Sequence, residues 1–255
     1  MALLEIQGLT KVFGGLTAVN KLDLTVSQGE IVGLIGPNGA GKTTFFNLIS
    51  GVLKPTRGKI FYKGKNITGL KTDRIASRGI VRTFQATNVF PEMTVFENLA
   101  VAHHLQAKAG FMGAIFDSPA AREDNRDIEQ KTMSILDYMG LIPFKDELAK
   151  NLPHGHLRLL GIALALAANP ELLLLDEPIT GMNPEEVTTV MGKIEGLWEK
   201  GITLVVVEHN MKALMKLGRR IVVMNFGRKI AEGTPEEIQH NKEVIEAYLG
   251  TEEVV

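Results

Sequence analysis

One stretch restricts this chain more than any other: Gly36, Pro37, Asn38, Gly39, Ala40, Gly41, Lys42, Thr43, Thr44. It fits the phosphate-cradling pattern G-x-x-x-x-G-K-[ST], with Gly36, Gly41, Lys42 and Thr43 in the fixed places. A triphosphate is a dense anion, and backbone N–H groups can wrap it only where side chains stay clear, which is what glycine allows. Lys42 adds a point charge for the β- and γ-phosphates, and the Thr43 hydroxyl suits Mg²⁺. The flanks agree with the pattern. Residues 31–35 form a short apolar run that reads as a buried parallel strand. Residues 44–50 read as a helix, closed by Gly51 near its C-terminal cap. The order strand, loop, helix aims a helix N-terminus, with its partial positive charge, at the phosphates.

A second signal lies at the ends of two other apolar runs. Four leucines, Leu172 to Leu175, lead into Asp176 and Glu177. Carboxylates at the end of a buried strand are costly unless they serve an ion or a partner. In an open parallel sheet those ends face the ligand crevice. Asp176 therefore reads as a Mg²⁺ carboxylate and Glu177 as a base for an attacking water, in preference to a solvated strand end. Residues 202–207 form another buried strand and end in Glu208 and His209. A neutral imidazole there can donate to a γ-phosphate oxygen, and as the third polar group at a strand's carboxyl end His209 reads as functional rather than structural. Two weaker candidates keep two readings each. Gln85 ends a strand over 79–85 and is either an ordinary polar terminus or a group that orients water and touches Mg²⁺. Phe13, before Gly14 and Gly15, either packs or stacks on a purine ring.

The rest of the chain is organised around these points. Residues 3–9 and 18–26 alternate apolar and polar and read as antiparallel strands; 59–63 reads as another strand and 72–78 as a short helix. From about 88 to 151 the pattern turns helical, at 94–107, 120–139 and 145–150. Within it, residues 111–116 are apolar and either pack on this lobe or meet a partner. Residues 157–168 and 184–200 read as helices, 220–226 and 229–232 as closing strands, 236–240 and 242–249 as terminal helices. The length, 255 residues, suits one large domain with a lobe. Basic and acidic residues balance at 28 against 29, so no general affinity for nucleic acid or membrane surface is implied. The absence of cysteine excludes disulfides and thiolate metal sites and fits a reducing compartment. No secretion signal or bilayer-spanning run is expected, so a membrane role would come through a partner.

In order and spacing, over nearly the whole chain, these residues resemble the nucleotide-binding subunits of ABC transporters. Residues 36–44 look like the family's Walker A loop, and 172–177 like Walker B with Glu177 as the catalytic glutamate. Gln85 resembles the Q-loop glutamine, His209 the switch histidine, and Phe13 the adenine-stacking aromatic. Residues 152–156 stand where the family carries its Leu-Ser-Gly-Gly-Gln signature. The resemblance implies an α/β fold: a P-loop NTPase, RecA-like core with an antiparallel β subdomain (1–87 and 152–255), and an inserted helical subdomain (88–151). It implies ATP and Mg²⁺ as cofactors, with Thr43, Asp176 and Gln85 at the metal. It also implies two nucleotides sandwiched between two subunits, so that Pro153, Gly155 and His156 of one chain face the nucleotide of the other.

The strings from Arg82 to Gln85, from Glu92 to Leu99 and from Gly233 to Gly250 look like the ATP-binding protein of branched-chain amino acid importers, as does the extra segment near 110–124. The lipopolysaccharide-export ATPase has a similar ending but typically a shorter lobe. Such a chain would be an ATPase on the inner face of the cell membrane, docked through residues 85–97 on permease subunits and working indirectly with a substrate-binding protein, with no nucleic-acid partner. It would pair with itself or, as the sub-family favours, with a sister ATPase. Three departures fall away from the Walker A loop. The signature serine is Pro153, which offers neither hydroxyl nor N–H, and its glutamine is His156. The arginine usual in the following helix is Leu164, and the usual D-loop aspartate is Asn183. These motivate one rival reading, a nucleotide-dependent binding module that hydrolyses weakly. A soluble ABC ATPase acting on ribosomes or DNA is disfavoured by the single domain, the lack of a coiled-coil insert and the balanced charge.

Overall fold

Strand patterns with two different periods build two different sheets. The computed structural model describes residues 2–83, 89–104 and 119–249. In β1 (Ala2–Phe13) and β2 (Leu16–Ser27) apolar side chains alternate with polar ones, so each strand buries one face and wets the other. They pair antiparallel, and β4 (Arg57–Tyr62) and β5 (Lys65–Asn66) extend them into a sheet of order β2-β1-β4-β5. By contrast β3 (Ile31–Ile35), β7 (Leu172–Asp176) and β8 (Thr203–Val207) are buried at every residue. They form the middle of a six-stranded sheet of order β10-β9-β3-β8-β7-β6. The strands β6 (Ile80–Arg82) and β9 (Arg220–Asn225) join it in parallel, and β10 (Arg228–Gly233) closes one edge antiparallel.

Side chains on a strand alternate between faces, so the central strands feed two cores. Val32, Leu34, Leu172, Leu174, Val205 and Val207 meet Phe45 and Phe46 of α1 (Lys42–Ile49) and the inner residues Leu4, Ile6 and Leu9 of the antiparallel sheet. Ile31, Ile35, Leu173, Leu175, Leu204 and Val206 face the other way, onto a helical layer. That layer holds α3 (Val95–His104), α4 (Pro119–Met139), α5 (His154–Leu166), α6 (Pro184–Glu199) and α7 (Met211–Leu217). The short α2 (Thr72–Ala76) precedes β6, and α8 (Pro235–Gln239) and α9 (Lys242–Leu249) follow β10. Phe45 and Phe46 are fully buried, each a side chain whose truncation to alanine costs about 3–5 kcal/mol in a close-packed core. No helix among the described residues is long and apolar enough to cross a membrane.

Most expected elements are present, several with longer strands or earlier helix starts. Two differences are informative. Residues 145–150 do not form a helix: the chain makes 3₁₀ turns at Ile142–Phe144 and Ala149–Asn151, with an isolated bridge between Thr94 and Leu148. The reason is a tertiary claim on its carbonyls, since Val95 N–H donates to Glu147 and Phe96 N–H to Lys145. The second is α7, for which the sequence reading assigned no element. The strand expected over 79–85 ends at Arg82; Gln85 and residues 111–116 lie outside the described residues.

Candidate active site

Strands β3, β8 and β7 are neighbours, so the loops at their carboxyl ends converge. The loop after β3 runs under its own helix. Gly36 has φ 153°, and a Cβ there would stand 2.1 Å from the Met224 carbonyl; Gly41 has φ 99°, and a Cβ would stand 2.3 Å from the Ala18 carbonyl. Only glycine fits either place. The first helix-internal acceptance, Phe45 N–H to the Gly41 carbonyl at 2.9 Å, leaves the amides of Lys42, Thr43 and Thr44 at the open helix start. The Lys42 side chain is 6% exposed, and its ammonium donates to the Gly36 and Pro37 carbonyls at 2.6 and 2.9 Å. Burial pushes this lysine below its usual range, while the charges of Glu177 and Asp176 pull it back up. The acceptors it touches are neutral carbonyls, and a bound phosphate would add an anion in direct contact.

Asp176 ends β7 almost fully buried, and its carboxylate accepts from the Arg82 guanidinium at 2.6 Å. Arg82 also donates to Asn47 at 2.5 Å and lies against the Phe46 ring. Next, Glu177 leaves the strand with φ 48°, a left-handed conformation that costs a non-glycine residue about 1–3 kcal/mol. Its N–H still donates to the Val207 carbonyl at 2.9 Å, while its side chain turns to His209, with Nε2 and Oε1 2.5 Å apart. Between these loops lies Glu208, 2% exposed. Its carboxylate accepts from the Ile179 N–H at 2.9 Å and the His209 N–H at 3.1 Å, and also from the Asn210 N–H. Burial pushes this carboxyl above the usual range; the three amides pull it down, and the Glu177 charge pushes it up again.

The convergence opens a cleft of about 430 Å³. Asn38, Gly39, Ala40, Gly41, Lys42, Thr43, Thr44, Glu177 and His209 line it, all of them expected from sequence. Gly36 and Pro37 lie beneath the loop as acceptors for Lys42, and Asp176 lies behind the wall, on Arg82. Phe13 is not among the lining residues; its ring is 43% exposed with the Lys11 ammonium 4.9 Å above it. The aromatic that does border the cleft is Phe226, 83% exposed in the turn between β9 and β10, together with Leu16, Thr17, Ala18 and Gly227. Sequence reading assigned no role to Phe226 or Glu208, and quoted Arg82 only within a family string. Their partners are distant in the chain, and only a large apolar side chain left bare in a turn hints at Phe226.

The signature segment is elsewhere. Pro153 is the N-cap of α5, without a side-chain cap bond, and Leu157 N–H is the first to bond back, at 2.9 Å to the Pro153 carbonyl. The helix therefore opens with the amides of His154, Gly155 and His156. A Cβ on Gly155 would stand 2.7 Å from a Glu186 carboxylate oxygen, so the start of α5 rests on the start of α6. The His156 ring packs on Phe144 at 4.3 Å between centroids, and its buried Nδ1 has no hydrogen-bond partner among the described residues.

Residues 19–180 match the family described as ABC transporter. The chain belongs to the ABC transporter family. Residues 228–254 further match the family described as branched-chain amino acid ATP-binding cassette transporter. The cassette is 43% identical over 249 residues to the high-affinity branched-chain amino acid transport ATP-binding protein BraF of Pseudomonas aeruginosa, across 97% of this chain and 98% of that one. The corresponding LivG protein of Escherichia coli gives the same figures. The probable LivG protein of Archaeoglobus fulgidus is 39% identical across 99% of this chain and 97% of its own length. Among solved structures, an ATP-binding cassette of an ABC transporter in its ADP conformation superposes with a TM-score of 0.86 at 31% identity, covering 98% of this chain and 99% of that one. A dimeric ATP-binding cassette in a post-hydrolysis state, bound to ADP and Pi, gives 0.77 at 25% identity, covering 91% and 98%. The α/β cassette fold that the family resemblance implied is thus the fold observed, and as a member of this family the chain is an ATPase.

Proposed function

We propose that this chain is the ATP-hydrolysing subunit of an importer for branched-chain or related amino acids. The observation that carries the chemistry is the single cleft in which residues 38–44, Glu177 and His209 meet. Residues 36–44 bind the phosphates through backbone amides and Lys42. Glu177 takes the proton of the attacking water, or polarises it. His209 leaves Glu177 and donates to the γ-phosphate, with Gln85 positioning water beside it. Mg²⁺, when bound with the nucleotide, supplies positive charge at the β- and γ-phosphates. Thr43, Asp176 and Gln85 would hold it. The donor types fit, since Mg²⁺ takes one or two carboxylates and a hydroxyl alongside phosphate oxygens; Asp176, held by Arg82 behind the cleft wall, would exchange that contact for the metal.

The cargo assignment rests on the relatives and on the match over residues 228–254, which favours this reading over a lipopolysaccharide-export ATPase. Residues 1–87 and 152–255 then form the nucleotide core and 88–151 the helical subdomain, which docks on permease subunits near 85–97 at the inner face of the membrane. A second cassette supplies the facing signature, where the open helix start at Gly155 attracts the γ-phosphate without help from Pro153. Co-purification tests the assignment. A polytopic membrane protein that comes down with the tagged chain, and whose amino acid uptake stops in the Glu177→Gln variant, is the expected result. Light scattering on Glu177→Gln with ATP and Mg²⁺ separates pairing modes: a dimer means self-pairing, an ATP-bound monomer a sister subunit. Weak turnover even with permease present would favour the nucleotide-dependent binding module suggested by Pro153.

A further inference from the structure

We propose that Glu208 is a positioning residue that locks the Glu177 loop and the His209 loop into one unit. The inference rests on the reading of Glu177 and His209 as the hydrolytic pair. The chain itself poses the problem Glu208 solves. Glu177 takes a left-handed turn straight out of β7, so the amides that follow it leave the sheet and lose the ladder as a source of acceptors. The β8 loop is in the same position after Val207. One carboxylate answers both needs, with Ile179 N–H on one oxygen at 2.9 Å and His209 N–H on the other at 3.1 Å. The bonds run from either side of a gap of 29 residues in sequence.

The choice of a carboxylate for this task is informative. Glu208 is 2% exposed and stands near the like charge of Glu177, so an anion here is costly in both solvation and repulsion. An acceptor needed only to satisfy amides could be neutral. A carboxylate differs from a neutral amide in having two equivalent acceptor oxygens and no donor, so the N–H of each loop has an oxygen of its own and neither loop faces an NH₂. The consequence is positional. The bond between His209 Nε2 and Glu177 Oε1 joins the same two loops at their tips, so tip and base are both pinned and the two side chains share one frame. Catalytic groups need placement to a fraction of an ångström, and supporting hydrogen bonds supply it.

The test compares Glu208→Gln with wild type and with Glu177→Gln, in the purified chain alone and with its permease subunits. Glutamine keeps the volume and one acceptor but sets an NH₂ against one of the two loops. Positioning predicts a kcat for ATP hydrolysis at least about tenfold lower, with KM and the affinity for a fluorescent ATP analogue within about twofold of wild type. A kcat within about twofold of wild type overturns the proposal, as does a parallel fall of affinity, kcat and thermal midpoint, which is the mark of general loosening. If Glu177→Gln also hydrolyses normally, the reading of the whole site fails; if it is inactive while Glu208→Gln is not, only the role of Glu208 fails. Amide exchange in the wild-type chain tests the lock without a variant. The Ile179, His209 and Asn210 amides should be protected together although they lie in loops, and fast exchange at Ile179 and His209 would overturn the proposal.

Discussion

Lys42 and Arg82 show how differently two buried cations are used. Among the described residues Lys42 hydrogen-bonds to neutral carbonyls, and burial pushes it below the usual lysine range, a state that suits a site for an anion. Lys42→Ala should weaken ATP binding by about 3 kcal/mol, roughly a hundredfold in Kd, as for loss of a charged hydrogen-bonding group; titration with a fluorescent analogue reads it. Arg82 instead donates to Asp176 and Asn47 and lies against the Phe46 ring. Arg82→Met strands a buried carboxylate and should cost about 3–5 kcal/mol in urea unfolding, with part recovered when Asp176→Asn is added. Equal stability of Arg82→Met and wild type would show that Asp176 does not depend on this partner.

Among the elements, α6 gives Asn183 a physical role. Read from sequence, it is only a departure from the D-loop aspartate. In the structure it is an N-cap: its side chain accepts from Glu185 and Glu186 N–H at 3.0 Å each, and Glu186 returns the bond to Asn183 N–H at 3.1 Å. Asn183→Ala should therefore lower stability by about 1 kcal/mol, whereas Asn183→Asp, an equal cap at a positive helix end, should not. Thermal unfolding of both variants checks this. Elements with a strong period were legible in advance: β3, β7 and β8 from unbroken apolar runs, the first hairpin from alternation, and the Lys42 helix from its loop. The site's front wall followed, because residues 38–44, Glu177 and His209 belong to patterns local in sequence. The misses are non-local. Helix α7 has seven residues, too few for a period to declare itself, and depends on the Asn210 cap and packing of Leu214. The 145–150 segment carries a helical pattern that tertiary bonds override. The partnership of Arg82 with Asp176 spans 94 residues.

The whole molecule adds a connection between its ends. The C-terminal module matched over residues 228–254 begins on the edge strand β10 and returns through α9, where Tyr248 meets the backbone of Gly36 at the first turn of the phosphate cradle. Burial pushes the Tyr248 hydroxyl up to about 12, so it stays neutral there, and the hydrogen bond with Gly36 works against that shift. A cavity of about 250 Å³ lies beside this contact, between Glu246 and Ala247 of α9 and residues 37–40. Both sheets and the carboxylate loops thus frame one cleft, in which Glu177 would drive ATP hydrolysis. The most direct measurement is phosphate release from ATP by wild type and Glu177→Gln, with ATP affinity measured on the same samples. In Glu177→Gln the affinity should stay within about threefold of wild type while turnover falls by at least about a hundredfold, the scale of a lost general base. Turnover at the wild-type rate in Glu177→Gln would contradict it.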